Sequence, residues 1–209
     1  MPDCRHLLKA ATIGGVFLGS VLTHQAVAQT ATPAAMSASD RMNELGPENG
    51  MIALRAGLWD VTETRWPAPG AAPVTTTGLV AERVIMGSLL QEFLRPPSDT
   101  AHNDVKRTDL LSFNRVEGRW KYVSFDTRAP VGLMPALSAV PGDGSSIEIV
   151  FEPFAITGPG TQVTGQMLRM EQTIRYEGPD RDVKEQYFTL ADGTGRKWLA
   201  HQYAYVRRP

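Results

Sequence analysis

From residue 58 to the C-terminus the chain is a succession of short segments in which apolar and polar residues alternate with a period of two. No other feature constrains its fold as strongly. A strand points successive side chains to opposite faces, so this period marks half-buried strands and conflicts with the 3.6-residue period of an amphipathic helix. Val, Ile, Thr and aromatic residues fill the segments, and Gly, Pro, Asn and Asp separate them. The predicted strands are 58–66, 74–86, 88–95, 107–113, 119–127, a short one within 131–140, 146–151, 162–176, 183–190 and 197–206. Pro135 lacks an N–H and moves the segment 131–140 towards a sheet edge. Consecutive strands on short turns, without helices to cover a sheet, read as an all-β protein. The expected form is an antiparallel up-and-down meander closed into a barrel of about eight to ten strands, because closure removes exposed edges.

The segment before the strands reads differently. Arg5, His6 and Lys9 precede a small-apolar run over 10–22, and Ala26-Val27-Ala28 forms a small-residue cleavage pattern. Residues 1–28 are expected to be a secretion signal cleaved near Ala28, which places the protein in the periplasm or outside the cell. A membrane anchor would need about 20 apolar residues, and the run is shorter. Residues 29–50 read as a flexible tether. It holds a short helix over 40–45, capped by Ser39 or Asp40 and ended by Gly46-Pro47, with a further helical turn over 51–56. The barrel domain is expected over 51–209.

The sole cysteine, Cys4, leaves with the signal, so thiolate chemistry, disulfides and Cys-ligated metals are excluded from the mature chain. The net charge of −1 for the whole sequence includes no basic stripe for nucleic acid and no polybasic or amphipathic anchor for a membrane. The expected partner is a small, partly apolar molecule.

Gly57-Leu58-Trp59 opens the first strand after a helical lead-in, and Tyr205-Val206-Arg207 ends the last. This pairing resembles the calycin superfamily, the lipocalins and their relatives, in which a Gly-x-Trp and a late arginine meet across the closed end of the barrel. A guanidinium over an indole is a cation–π contact, and glycine lets the chain pass tightly beneath it. The resemblance implies structural closure by Gly57, Trp59 and Arg207. A closer similarity, over 51–208, is to an uncharacterised family of exported, lipocalin-like bacterial proteins of unknown function. Its carriers are Gly57-Leu-Trp-Asp-Val61, the stretch from Arg83 to Glu92, Leu111-Ser-Phe-Asn114, Trp120 to Asp126 and the closing Tyr205-Val-Arg207. Gln202 stands where that family tends to have an acidic residue. The resemblance implies a fold and no activity.

Alternation supplies candidate site residues. If Trp59 points inward, so do Val61, Glu63 and Arg65; Trp120, Tyr122, Ser124 and Asp126 share one face of their strand. Arg83 with Glu92, and Arg169 with Glu171, add charges within strands. One reading is a polar-lined cavity drawing on Glu63, Arg83, Glu92, Trp120, Tyr122, Asp126 and His201. The other is that these charges face solvent or form salt bridges on the outer surface. His102 reads as an exposed loop residue. The tail around His201 resembles the end of nitrobindin-like proteins, ten-stranded barrels whose late-strand histidine ligates haem iron. Haem is therefore a minor reading, and no other cofactor is expected. The start of this chain departs from that family, lacking its further glycines and Tyr-Pro pair. The segment 129–137 is either a rim or lid at the barrel mouth or an irregular strand packed on the barrel.

There is no Gly-x-Ser-x-Gly elbow, His-x-x-x-His, Glu-x-x-His or calcium-loop spacing, so no catalytic residue and no metal ligand is assigned. The leading expectation is an exported small-molecule-binding protein rather than an enzyme. The alternatives are an enzyme using interior carboxylates or tyrosines such as Asp126 and Tyr122, haem binding through His201, and a structural envelope protein acting by its outer surface.

Overall fold

A computed structural model describes residues 35–155 and 165–209. The expected signal over 1–28 and the first part of the tether lie outside them. Two short helices come first. In α1 (Ala38–Asn43) the cap is Ser37, whose side chain accepts from the Asp40 N–H at 3.1 Å, slightly before the expected Ser39 or Asp40. Gly46-Pro47, expected to terminate a helix, instead starts one. Pro47 opens α2 (Pro47–Ala53), where its missing N–H costs nothing and its fixed φ suits the first turn. Ile52 of α2 is fully buried in the barrel core.

The strands are β1 (Gly57–Arg65), β2 (Val74–Met86), β3 (Leu89–Arg95), β4 (Arg107–Asn114), β5 (Arg119–Asp126), β6 (Leu133–Leu137), β7 (Ser146–Phe151), β8 (Phe154–Ala155), β9 (Met167–Gly178), β10 (Arg181–Leu190) and β11 (Lys197–Arg207). Every pairing is antiparallel. Neighbours follow chain order from β1 to β7, then β9, β10 and β11, and β11 pairs back onto β1. The result is a closed ten-stranded barrel, with the two-residue β8 as an extra strand on β9. The lipocalin-like, all-β expectation holds, at the upper end of its strand count.

Pro135 does not make β6 an edge. Five residues of β6 pair with β5, but only Ala136 and Leu137 pair with β7. Without an N–H, Pro135 contributes only its carbonyl, which accepts from Glu152 N at 3.1 Å. The β6–β7 seam is the thinnest part of the wall.

Strict alternation builds the interior. β4 reads buried and half-buried in turn over its whole length, placing Arg107, Asp109, Leu111 and Phe113 inside. One end is packed with Leu90, Leu111, Trp120, Ile147, Ile149, Ile174 and Ile52. The centre is ionic, and the other end opens into a cavity.

Candidate functional site

At the packed end, Trp59 is fully buried and its indole N–H donates to the Arg55 carbonyl at 3.0 Å. The Arg207 guanidinium lies 4.1 Å from the Trp59 ring centroid, and its Nη1 donates to the Ala56 carbonyl at 2.6 Å. Gly57 has φ +123°, and a Cβ there would stand 2.7 Å from Arg207 Nη1. Both facts exclude a side chain. Gly57, Trp59 and Arg207 thus meet where the lead-in helix joins the barrel.

Above this end lies a belt of ionised side chains, each at most 5% exposed. Its four cations are Arg55, Arg83, Arg107 and Lys184; its three anions are Glu92, Asp109 and Asp182. Arg83 donates from Nε to Glu92 at 2.7 Å and from Nη1 to Asp182 at 2.6 Å. Lys184 Nζ reaches Asp109 at 2.6 Å and Glu92 at 3.2 Å. Arg107 Nη2 donates to Glu92 at 3.1 Å, and the Tyr205 hydroxyl donates to the same carboxylate at 3.1 Å. Buried charges survive only when paired in this way. Burial pushes the Glu92 and Asp109 carboxyls up. The charges of Lys184, Arg83 and Arg107 more than offset that at Glu92, and those of Arg107 and Lys184 do so at Asp109, holding both below the ordinary carboxylate range. Burial pushes Lys184 down, but Asp109 and Glu92 outweigh it and raise its ammonium above the usual value. A void of about 20 Å³ inside the belt is the size of one water.

The far end of the barrel encloses a cavity of about 300 Å³. Met134, Phe154, Leu168, Met170, Phe188 and Trp198 form its apolar walls, while Arg107, Ser124, Gln186 and Tyr203 border it with the Glu63, Asp126, Arg128 and His201 group. Glu63 Oε1 accepts from the Tyr203 hydroxyl at 2.9 Å and lies 3.2 Å from His201 Nδ1; Oε2 accepts from Arg128 at 2.7 Å. Burial raises the Glu63 carboxyl, and the bonds from His201 and Arg128 overcome it, so the group stays ionised well below its ordinary range. Arg128 also donates to both oxygens of Asp126 and so bridges the two carboxylates. Because an ionised carboxylate only accepts, Glu63 assigns the proton of a neutral His201 to Nδ1 and leaves the lone pair on Nε2.

The seven candidate residues separate into three places. Glu63, Asp126 and His201 border the cavity. Arg83, Glu92 and Tyr122 belong to the belt, where Lys184 Nζ donates to the Tyr122 hydroxyl at 3.3 Å. Trp120 borders neither space: it is fully buried, packs edge-on against Phe113 and donates to the Pro141 carbonyl. The reading that these charges face solvent is corrected for Glu63, Arg83 and Glu92, which are 4–6% exposed. It does hold for Arg169 and Glu171, a surface pair at 2.9 Å. Arg65 is exposed at the end of β1 and reaches only the mouth. His102 is no plain loop residue. Its ring stacks on Phe93 with centroids 4.7 Å apart, and Nε2 lies 3.0 Å from Glu82. Gln202, at the family's acidic position, donates to Glu185 at 2.9 Å. In the segment 129–137, Ala129, Val131 and Met134 border the cavity, and Leu133 to Leu137 form β6, so it is both rim and wall.

Sequence reasoning missed Arg55, Arg107, Asp109, Arg128, Asp182 and Lys184. For Arg107 and Asp109 a signal existed, since both alternate with the apolar Leu111 and Phe113. Asp182 and Lys184 alternate likewise with Gln186 and Phe188. Arg128 lies in a turn, where no period applies.

No protein-family model matches the chain, and no curated protein matches it significantly. Thirteen chains of solved structures match. Rv2717c from M. tuberculosis is 14% identical with a TM-score of 0.49, covering 79% of this chain and 100% of its own. EF1p2_mFAP2b bound to DFHBI is 7% identical with a TM-score of 0.32, covering 77% of this chain and 99% of its own. Neither likeness is close enough to bear on the chemistry of the cavity.

Proposed function

We propose that this protein is an exported binding protein for a small, partly apolar molecule held in the open end of the barrel. The observation that carries the reading is the cavity itself. About 300 Å³ bounded by aromatic and thioether side chains, with a few convergent polar groups, is the composition of a small-molecule site. The ionic belt beneath it supplies a rigid floor, and the N-terminal pattern is the basis for export. The catalytic alternative loses its acid–base pair: Tyr122 is held by Lys184 in the belt, and Asp126 is occupied by Arg128. Haem ligation is favoured by one feature, the Glu63 bond to His201 Nδ1, which resembles the outer-shell bond of metal-ligating histidines. It is opposed by a volume at the bottom of the small-molecule range.

The test is native mass spectrometry, with an absorption spectrum, on the mature protein purified from its own cell envelope. A co-purifying mass of one small organic molecule is the expected result. A Soret band abolished by His201→Ala would replace this reading with haem binding. A bare polypeptide that gains no mass from a library of small amphiphiles would refute binding altogether.

A further inference from the structure

Arg107 stands at the first position of β4, on the cavity floor, and its side chain is 2% exposed. Its guanidinium lies 4.1 Å from the Tyr203 ring centroid. Nη2 donates to Glu92 and Tyr205, and Nε forms an ion pair with Asp109 at 3.0 Å without an aligned hydrogen bond. Nη1 has no acceptor among the described residues. Arg107 borders the large cavity and not the small void in the belt, so Nη1 is the donor left for an occupant of the cavity. A buried, charged N–H without an acceptor is costly, and any ligand that supplies one recovers that cost.

The charge balance says which acceptor. The belt carries one more cation than anions. The two carboxylates that border the cavity are already answered. Glu63 is bonded on Oε1 by Tyr203 and on Oε2 by Arg128, and Asp126 is bonded on both oxygens by Arg128. Arg65 and Arg128 on the cavity border balance Glu63 and Asp126, so the belt's surplus leaves one positive charge over among the described residues. A single free nitrogen suits one carboxylate oxygen and is too little for a phosphate or sulfate dianion. Resting on the binding reading above, we propose that the ligand is a small monocarboxylic acid. Its carboxylate sits on Arg107, and its body of about ten non-hydrogen atoms, the scale of a cavity with the liquid volume of about ten waters, lies among Met134, Leu168, Phe188 and Trp198.

The test compares octanoate, octanamide and octylammonium, matched in length, by the fluorescence of Trp66 and Trp198, both of which border the cavity. At pH 7, octanoate is expected to bind about tenfold or more tightly than octanamide, the scale of a charge-assisted hydrogen bond, and octylammonium not at all. Arg107→Gln should bring acid and amide to within about twofold of each other, since it removes the charged donor that distinguishes them. Met134→Trp should weaken binding of octanoate and octanamide alike by narrowing the cavity. The acid-to-amide ratio on the unaltered protein decides the question even if Arg107→Gln fails to fold. Octanamide binding as tightly as octanoate would overturn the carboxylate while leaving the binding reading intact. Octanoate affinity left unchanged by Met134→Trp would overturn it by placing the ligand elsewhere. Failure of all three probes would overturn it too, and mass spectrometry of the purified protein then decides the broader reading separately.

Discussion

Removing an anion from the buried belt should cost far more than removing a cation. The belt holds Arg55, Arg83, Arg107 and Lys184 against Glu92, Asp109 and Asp182, and Glu92 is its hub, contacted by Arg83, Arg107, Lys184 and Tyr205. Glu92→Gln keeps the shape, leaves two anions for four cations, and turns an amide N–H₂ towards guanidinium groups. Breaking a buried pair from one side costs about 3–5 kcal/mol. Lys184→Met loses donors to Asp109 and Glu92 but removes the surplus charge and its repulsion by Arg107. The net cost should be about 1–2 kcal/mol, less than the gross worth of charged hydrogen bonds. The assay is equilibrium urea unfolding at pH 7. With an m-value of about 2 kcal/mol/M, Glu92→Gln should lower the midpoint by about 1.5–2.5 M and Lys184→Met by less than about 1 M. The double variant should be more stable than the sum of the single losses implies, because both act on one network. A Lys184→Met loss equal to or larger than that of Glu92→Gln would refute the charge count.

Three further outcomes follow from the same geometry. Trp59→Ala should cost about 3–5 kcal/mol as a fully buried aromatic, and Gly57→Ala at least about 1–3 kcal/mol from its positive φ alone, both read by thermal and urea unfolding. Glu63, Glu92 and Asp109 have depressed folded values, so their stabilisation is present above the unfolded carboxylate range and lost as pH falls towards the folded values. Unfolding free energy against pH should thus be level near neutrality and decline below about pH 4. Lys184, raised in the fold, contributes fully below its unfolded value of about 10.5 and loses that only as pH rises through the folded one, so no loss is expected between about pH 6 and 9. Arg128→Met should raise the Glu63 carboxyl from its depressed value, since only the His201 and Tyr203 bonds then oppose burial, and this is read as an upward shift in its carbon-13 titration, with stability at neutral pH falling in step with that rise.

Strand number and position, the turns, and the meeting of Gly57 and Trp59 with Arg207 were legible from period, punctuation and resemblance, because these depend on local backbone chemistry and on two marked chain ends. Alternation also placed Glu63 on one face with Trp59, and Asp126 and Tyr122 on one face with Trp120, but not whether those faces point inward. The different fates of Glu63, Asp126, Tyr122 and Trp120 were out of its reach: one in the packed end, one in the belt, two at the cavity. Depth along a barrel depends on how far each strand is staggered against the next, and a two-residue period is the same at every depth.

The partners were hidden for the same reason. Arg83 bonds Asp182 across 99 residues, Arg107 reaches Tyr205 across 98, and Lys184 finds Asp109 across 75. The sequence by itself determined that a barrel forms and that charged residues share strand faces with aromatic ones. Only closure of the barrel decided which charges meet, which end stays open, and that Arg107 is left with a nitrogen to spare, since these follow from distances between strands that are remote in the chain.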